Sequence, residues 1–127
     1  MGDVVEVVYS SWYNADLETL ADAHRERVER RINVFVDKGW ISSIRDRTVA
    51  PLRDGIYELR VLGRGAAFRV LFFLVPGRSP RVVVLTACLA KAKLKKRQRM
   101  DAELERARLH RTVWLEQQRK AKEDAET

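Results

Sequence analysis

The spacing of apolar residues along this chain changes from segment to segment, and each change predicts an element. In "DVVEVVYS" β-branched residues crowd a short run, which predicts a first strand over residues 4–9. The spacing then lengthens: Leu17, Leu20, Ala21, His24, Val28, Ile32 and Phe35 recur at three-and-four intervals. That period predicts one long helix, or two with a kink, capped by Asn14 or Asp16 and stopped at Gly39. "WISSIRDRTVAPLRDG" sustains no period and reads as a connection into the turn signal Asp54-Gly55. β-rich runs follow over 56–62, 67–75 and 81–89, separated by Gly63-Arg64-Gly65 and by "PGRSP", as in an antiparallel meander. From about Lys96 a helical period returns, with Met100, Leu104 and Ala107 on one face and Val113 and Trp114 further on.

Strand, helix, meander, helix is the order of an α+β fold: a mostly antiparallel sheet with the helices packed on one side. A chain of 127 residues accommodates one such domain, expected over 1–118, with the polar end "KAKEDAET" fraying beyond Gln118 as a tail over 119–127. There is no internal repeat.

Composition narrows the function. With 46% hydrophobic and 34% charged residues the chain is expected to fold with a heavily charged surface. Its formal charge of +7 favours polyanionic partners. Cys88 is the single cysteine, which rules out an intramolecular disulfide, and "MGDVVEVVYS" lacks the basic start and long apolar run of a signal peptide, so the cytoplasm is expected. The most apolar stretch, "FRVLFFLVPG", is interrupted by Arg69 and ended by Pro76-Gly77, short of the roughly 20 residues of a membrane span. No membrane association is expected.

The candidate chemistry sits in "YELRVLGRGAAFRVLFF". With Arg64 and Gly65 at the centre of the turn, Tyr57 faces Phe72, Leu59 faces Val70, Val61 faces Phe68, and Arg60 faces Arg69. Like charges directly across a strand pair repel by up to about 1 kcal/mol, so either an anion or a carboxylate such as Glu58 is expected between them. As exposed strand arginines they would add little to stability. A second basic feature is "LAKAKLKKRQR", where Lys91, Lys93, Lys95, Lys96, Arg97 and Arg99 follow the last strand; it is either a phosphate-facing cluster or a solvated loop and helix start. Basic residues at a helix start oppose the helix dipole, which favours binding. His24 and His110 lack a second ligand at metal spacing, and Cys88 reads as a small buried hydrophobe. Gly63-Arg64-Gly65 is a turn and not a phosphate loop, because no helix follows it.

"LRDGIYELRV", then "FRVLFF", then "VVVLTA" with lysines and a helix near "MDAELERA", resembles the HigB and phage Gp49-like branch of the RelE/ParE toxin superfamily. The resemblance covers about residues 51–114. It implies a type II toxin that enters the ribosomal A site and cuts mRNA without metal or organic cofactor. It also implies a HigA-like helix-turn-helix antitoxin as partner, with any oligomer formed through that antitoxin. Arg60 and Arg69 match the family's arginines, and Lys91 or Lys93 stands by position as proton acceptor. Arg64, Lys95, Lys96, Arg97 and Arg99 would hold RNA. Where relatives carry an aromatic residue after the "LTA" strand, Ala87, Cys88 and Leu89 stand here. The superfamily also contains ParE-like gyrase inhibitors, and a non-catalytic RNA- or ribosome-binding member is a third reading.

Overall fold

The computed structural model describes residues 3–126. Met1, Gly2 and Thr127, which the expected domain and tail include, lie outside the described residues. Strands β1 (Val5–Tyr9), β2 (Val49–Pro51), β3 (Ile56–Val61), β4 (Phe68–Leu74) and β5 (Arg81–Ala90) form one sheet in the order β1-β5-β4-β3-β2. β1 runs parallel to β5 and the other pairs are antiparallel. The helices are α1 (Ser11–Glu18), α2 (Asp22–Lys38), α3 (Trp40–Arg45) and α4 (Arg97–Glu126), and a 3-10 turn spans Lys91–Leu94.

The α+β class and the mostly antiparallel sheet agree with the sequence pattern; the placement of the helices on one side does not. Tyr13, Leu17, Val28, Ile32, Phe35 and Trp40 of α1 to α3 pack on one face, against Leu59, Val70, Phe72, Val83 and Leu85. Leu104 and Ala107 of α4 pack on the other, against Ile56, Leu71, Phe73, Val82 and Val84. The reason lies in β4, where every residue from Phe68 to Phe73 is buried. A strand apolar on both sides needs a layer over each face, and one layer would leave Leu71 and Phe73 in water.

The expected long helix is divided. Ser10 is the N-cap, its Oγ accepting the Tyr13 N–H at 3.2 Å, so helix starts before Asn14 and Asp16. The chain becomes extended at Ala21, with ψ of 151°, and restarts at Asp22. Gly39 ends α2 as expected: its φ of 84° lies in the left-handed region that favours glycine. α3 and β2 occupy the segment read as a connection. With 6 and 3 residues they are too short to establish a period.

Two features support the last strand and helix. β1 pairs with β5 only as far as Leu85, and beyond it the Cys88 N–H donates to Asp16 Oδ2 of α1 at 3.0 Å. Trp12 of α1 stacks on His110 of α4, rings 4.1 Å apart and 6° from parallel, which joins the two helical layers around that edge. α4 continues through the segment expected to fray, and residues 116–126 are exposed.

Candidate active site

The β3–β4 register is the one the sequence implies, with Tyr57 opposite Phe72, Leu59 opposite Val70 and Arg60 opposite Arg69. Tyr57, Leu59 and Val61 turn to the α1–α3 face, and alternation turns Glu58 and Arg60 to the α4 face. Glu58 lies between the two arginines. Arg60 Nε is 3.1 Å from its Oε1 and Arg69 Nε is 3.4 Å from its Oε2. Of the two expected ways to relieve the repulsion, the fold supplies the carboxylate.

The arginines are not equivalent, and the expected exposure of Arg69 is corrected. Arg69 is 8% exposed and Glu58 6%, because the sheet continues past them to β5 on one side and α4 crosses above. Arg69 Nη1 also donates to the Phe68 carbonyl at 3.2 Å. Burial lowers the Arg69 pKa; Glu58 opposes that shift and Arg60 reinforces it. The Arg60 side chain is 36% exposed and reaches the Arg47 carbonyl at 3.4 Å.

Glu58, Arg69, Lys91, Leu94, Lys95 and Met100 line a cavity of about 200 Å³. Lys91 is positioned by the end of β5, where its N–H donates to the Ala67 carbonyl at 2.8 Å, and buried Leu94 anchors the 3-10 turn behind it. A groove lined by Gly63, Gly65 and Ala90 shares Lys91 and Lys95 with this cavity, so it leads from the cavity to the exposed hairpin loop that carries Arg64. Lys93, Lys96 and Arg99 line a separate depression with Ala92. Arg99 is also 3.4 Å from the buried carboxylate of Glu103, and Arg97 is exposed at the start of α4. Of the two lysines expected as proton acceptors, Lys91 thus shares a cavity with Arg69 and Lys93 does not line it.

Glu58, expected only as a counter-ion, is part of the cavity wall. Its signal in the sequence is its place two residues before Arg60 on the same strand face. Cys88 is buried, and burial beside Asp16 pushes its thiol up to about 12, which leaves it inert. His24 packs against Phe68 with ring centres 5.2 Å apart. Among the described residues, no group of three or more His, Cys, Asp or Glu side chains is placed to hold a metal, and no helix is long and apolar enough to cross a membrane.

The family described as phage-derived protein Gp49-like (DUF891) matches residues 15–110, three quarters of the chain. The chain belongs to this family. Every basic residue discussed above, and Glu58, falls inside the matched Gp49-like region, while β1 precedes it. The Gp49-like chain is also similar, at 20% identity and a TM-score of 0.43, to a chain in the crystal structure of the toxin–antitoxin complex RelBE2 from Mycobacterium tuberculosis. That alignment covers 67% of this chain and 95% of the other. No curated protein matches the chain.

Proposed function

We propose that this protein is the toxin of a type II toxin–antitoxin pair: a metal-independent endoribonuclease that cuts mRNA on the ribosome. The observation that carries the reading is the group of Arg60, Glu58 and Arg69 on one sheet face, with Lys91 lining the same cavity as Glu58 and Arg69. In such a cleavage the 2′-hydroxyl oxygen attacks the adjacent phosphorus, the bond to the 5′-oxygen breaks, and a 2′,3′-cyclic phosphate and a 5′-hydroxyl result. The 2′-hydroxyl proton passes to the Glu58 carboxylate. The departing 5′-oxygen takes a proton from the Lys91 ammonium. Arg60 and Arg69 stabilise the extra negative charge of the pentacovalent state, and they are held in place before it forms. One carboxylate against Arg69, Lys91 and Lys95 in the lining, with Arg60 paired to the same carboxylate, leaves the cavity positive, which suits a phosphate whose charge grows as it reacts.

Lys95 and Arg64 extend the basic surface along the groove, while Lys93, Lys96, Arg97 and Arg99 contact backbone without reading bases. A helix-turn-helix antitoxin holds the activity in check, and the cytoplasm is where both act. A ParE-like gyrase inhibitor would need no carboxylate inside a cationic cavity, so Glu58 favours the nuclease. The test is single-turnover cleavage of ribosome-bound mRNA by Glu58→Gln and Lys91→Met. Each should lose roughly 10²–10⁴ in rate with RNA binding retained. Wild-type cleavage by Glu58→Gln would refute the assignment of the acceptor.

A further inference from the structure

The loop over residues 62–67 joins β3 to β4, and the sheet leaves it unsupported: Val61 and Phe68 form the last pair of the β3–β4 register. Among the described residues two hydrogen bonds hold this loop. The Lys91 N–H donates to the Ala67 carbonyl at 2.8 Å, and Arg27 Nη1 donates to the Ala66 carbonyl at 2.9 Å. Neighbouring carbonyls thus take one bond from the residue read as proton donor and one from α2, which packs on the opposite face of the sheet from Glu58. Arg27 faces no carboxylate among the described residues, so nothing competes with the carbonyl for its guanidinium. Gly63 is the third part of the arrangement. A Cβ there would lie 2.2 Å from Arg27 Nη1 and 2.5 Å from its Cζ, so a larger residue would push the guanidinium aside. Among the described residues the glycines with positive φ are Gly39, Gly55, Gly65 and Gly77. Gly63 is not one of them, so what calls for a glycine there is the room that Arg27 needs.

We infer that Arg27 is a positioning residue for Lys91: from the far side of the sheet it holds the 62–67 loop, and through the loop it fixes the end of the β4–β5 ladder on which Lys91 is seated. The inference rests on the nuclease reading, in which Lys91 protonates the departing 5′-oxygen, and it adds a residue that does not line the catalytic cavity. The bond from Lys91 to Ala67 is the rung beyond the last β4–β5 pair, Phe68 with Ala90. Such a terminal rung frays unless the chain is held beyond it, and Ala66, the residue Arg27 grips, is the next one along. What the loop positions is functional on both sides. Lys91 lines the cavity with Glu58 and Arg69, while Gly63, Gly65, Ala66 and Ala67 line the groove that leads into it. A loop released from Arg27 would shift the groove wall and the ammonium together, and a misplacement of about 1 Å costs roughly 10²-fold in rate.

The experiment combines single-turnover cleavage of ribosome-bound mRNA, at varied protein concentration, with amide hydrogen exchange followed by NMR on the full chain. Arg27→Met keeps a long side chain and removes the donor, whereas Arg27→Lys keeps a donor. Arg27→Met should lower the maximal rate roughly 10- to 10²-fold and move half-saturation by less than about threefold, and Arg27→Lys should restore most of the rate. Gly63→Ala should reproduce the loss, and combining it with Arg27→Met should cost nothing more. Arg27→Met should also cost nothing more on a Lys91→Met background, whereas a merely structural role would lower both backgrounds alike. Exchange at the Lys91 amide should quicken about tenfold or more in Arg27→Met, while amides in the middle of β4 and β5 keep their protection. The same fold loss with and without Lys91, or unchanged exchange at the Lys91 amide, would overturn the proposal. A wild-type protein that cuts nothing would sink the nuclease reading, and exchange at Lys91 would still decide whether Arg27 holds the loop.

Discussion

Replacing either arginine of the pair by alanine removes the same charge from the same cluster, yet the stability costs should differ. The Glu58 side chain is 8% exposed and that of Arg69 10%. Removing one partner of a buried pair costs about 3–5 kcal/mol, because the remaining charge stays desolvated. In Arg69→Ala, Glu58 keeps Arg60, but that side chain is 36% exposed, and water screens such a partner to about 1 kcal/mol or less. The net cost of Arg69→Ala is therefore about 2–4 kcal/mol. In Arg60→Ala, Glu58 keeps the buried partner, and the cost stays below about 1 kcal/mol. For a chain of this size each kcal/mol moves the melting temperature by roughly 3–5 °C, so the two variants should melt at least about 3 °C apart, with Arg69→Ala the lower. The assay is thermal unfolding of both single variants and the double by circular dichroism at low ionic strength. The double variant should lose more than the sum of the singles, since it alone leaves Glu58 without either ion-pair partner. Equal melting temperatures for the two singles would refute the argument that burial sets the strength of this cluster.

Gly39→Ala should cost about 2 kcal/mol or more in urea unfolding, because φ is 84° and a Cβ would come within 2.8 Å of the Asp3 carbonyl oxygen, which accepts the Trp40 N–H. His110, held below its ordinary pKa by burial and next by Arg106, gives stability that is fully present above the ordinary histidine value and lost as pH falls through the lower folded value. Stability should drop as pH falls below the ordinary histidine value of about 6.5, and His110→Phe should flatten the drop. Truncation after Gln118 should leave the melting temperature unchanged, because 119–126 are exposed and Arg119 pairs with Glu116 and Glu123 of the same helix.

The register of the hairpin was legible because a glycine-flanked tip joins two β-rich runs of matching length and fixes the pairing; the position of Arg60 opposite Arg69 follows from that. The second helical layer was legible only in part. Leu71 and Phe73 are as apolar as Val70 and Phe72, and that equality is itself the sign of a strand covered on both faces. The burial of Arg69 could not be read locally, since it depends on β5 and α4, which are distant in sequence. Ala21 looked helical because its apolar side chain fits the period, whereas the backbone there is extended. The separation of Lys91 from Lys93 arises in a 3-10 turn of four residues, where a step of two changes the face.

The central claim is that the Arg60, Glu58 and Arg69 cluster cuts RNA, and the most direct measurement maps mRNA ends in a purified translation system, with and without ribosomes, for the wild type and Arg60→Ala. The account predicts cleavage within codons that requires ribosomes and leaves a 2′,3′-cyclic phosphate. Arg60→Ala should be slower by roughly 10²–10³ while remaining folded. Translation arrest with intact mRNA, or equal cleavage by Arg60→Ala, would contradict it.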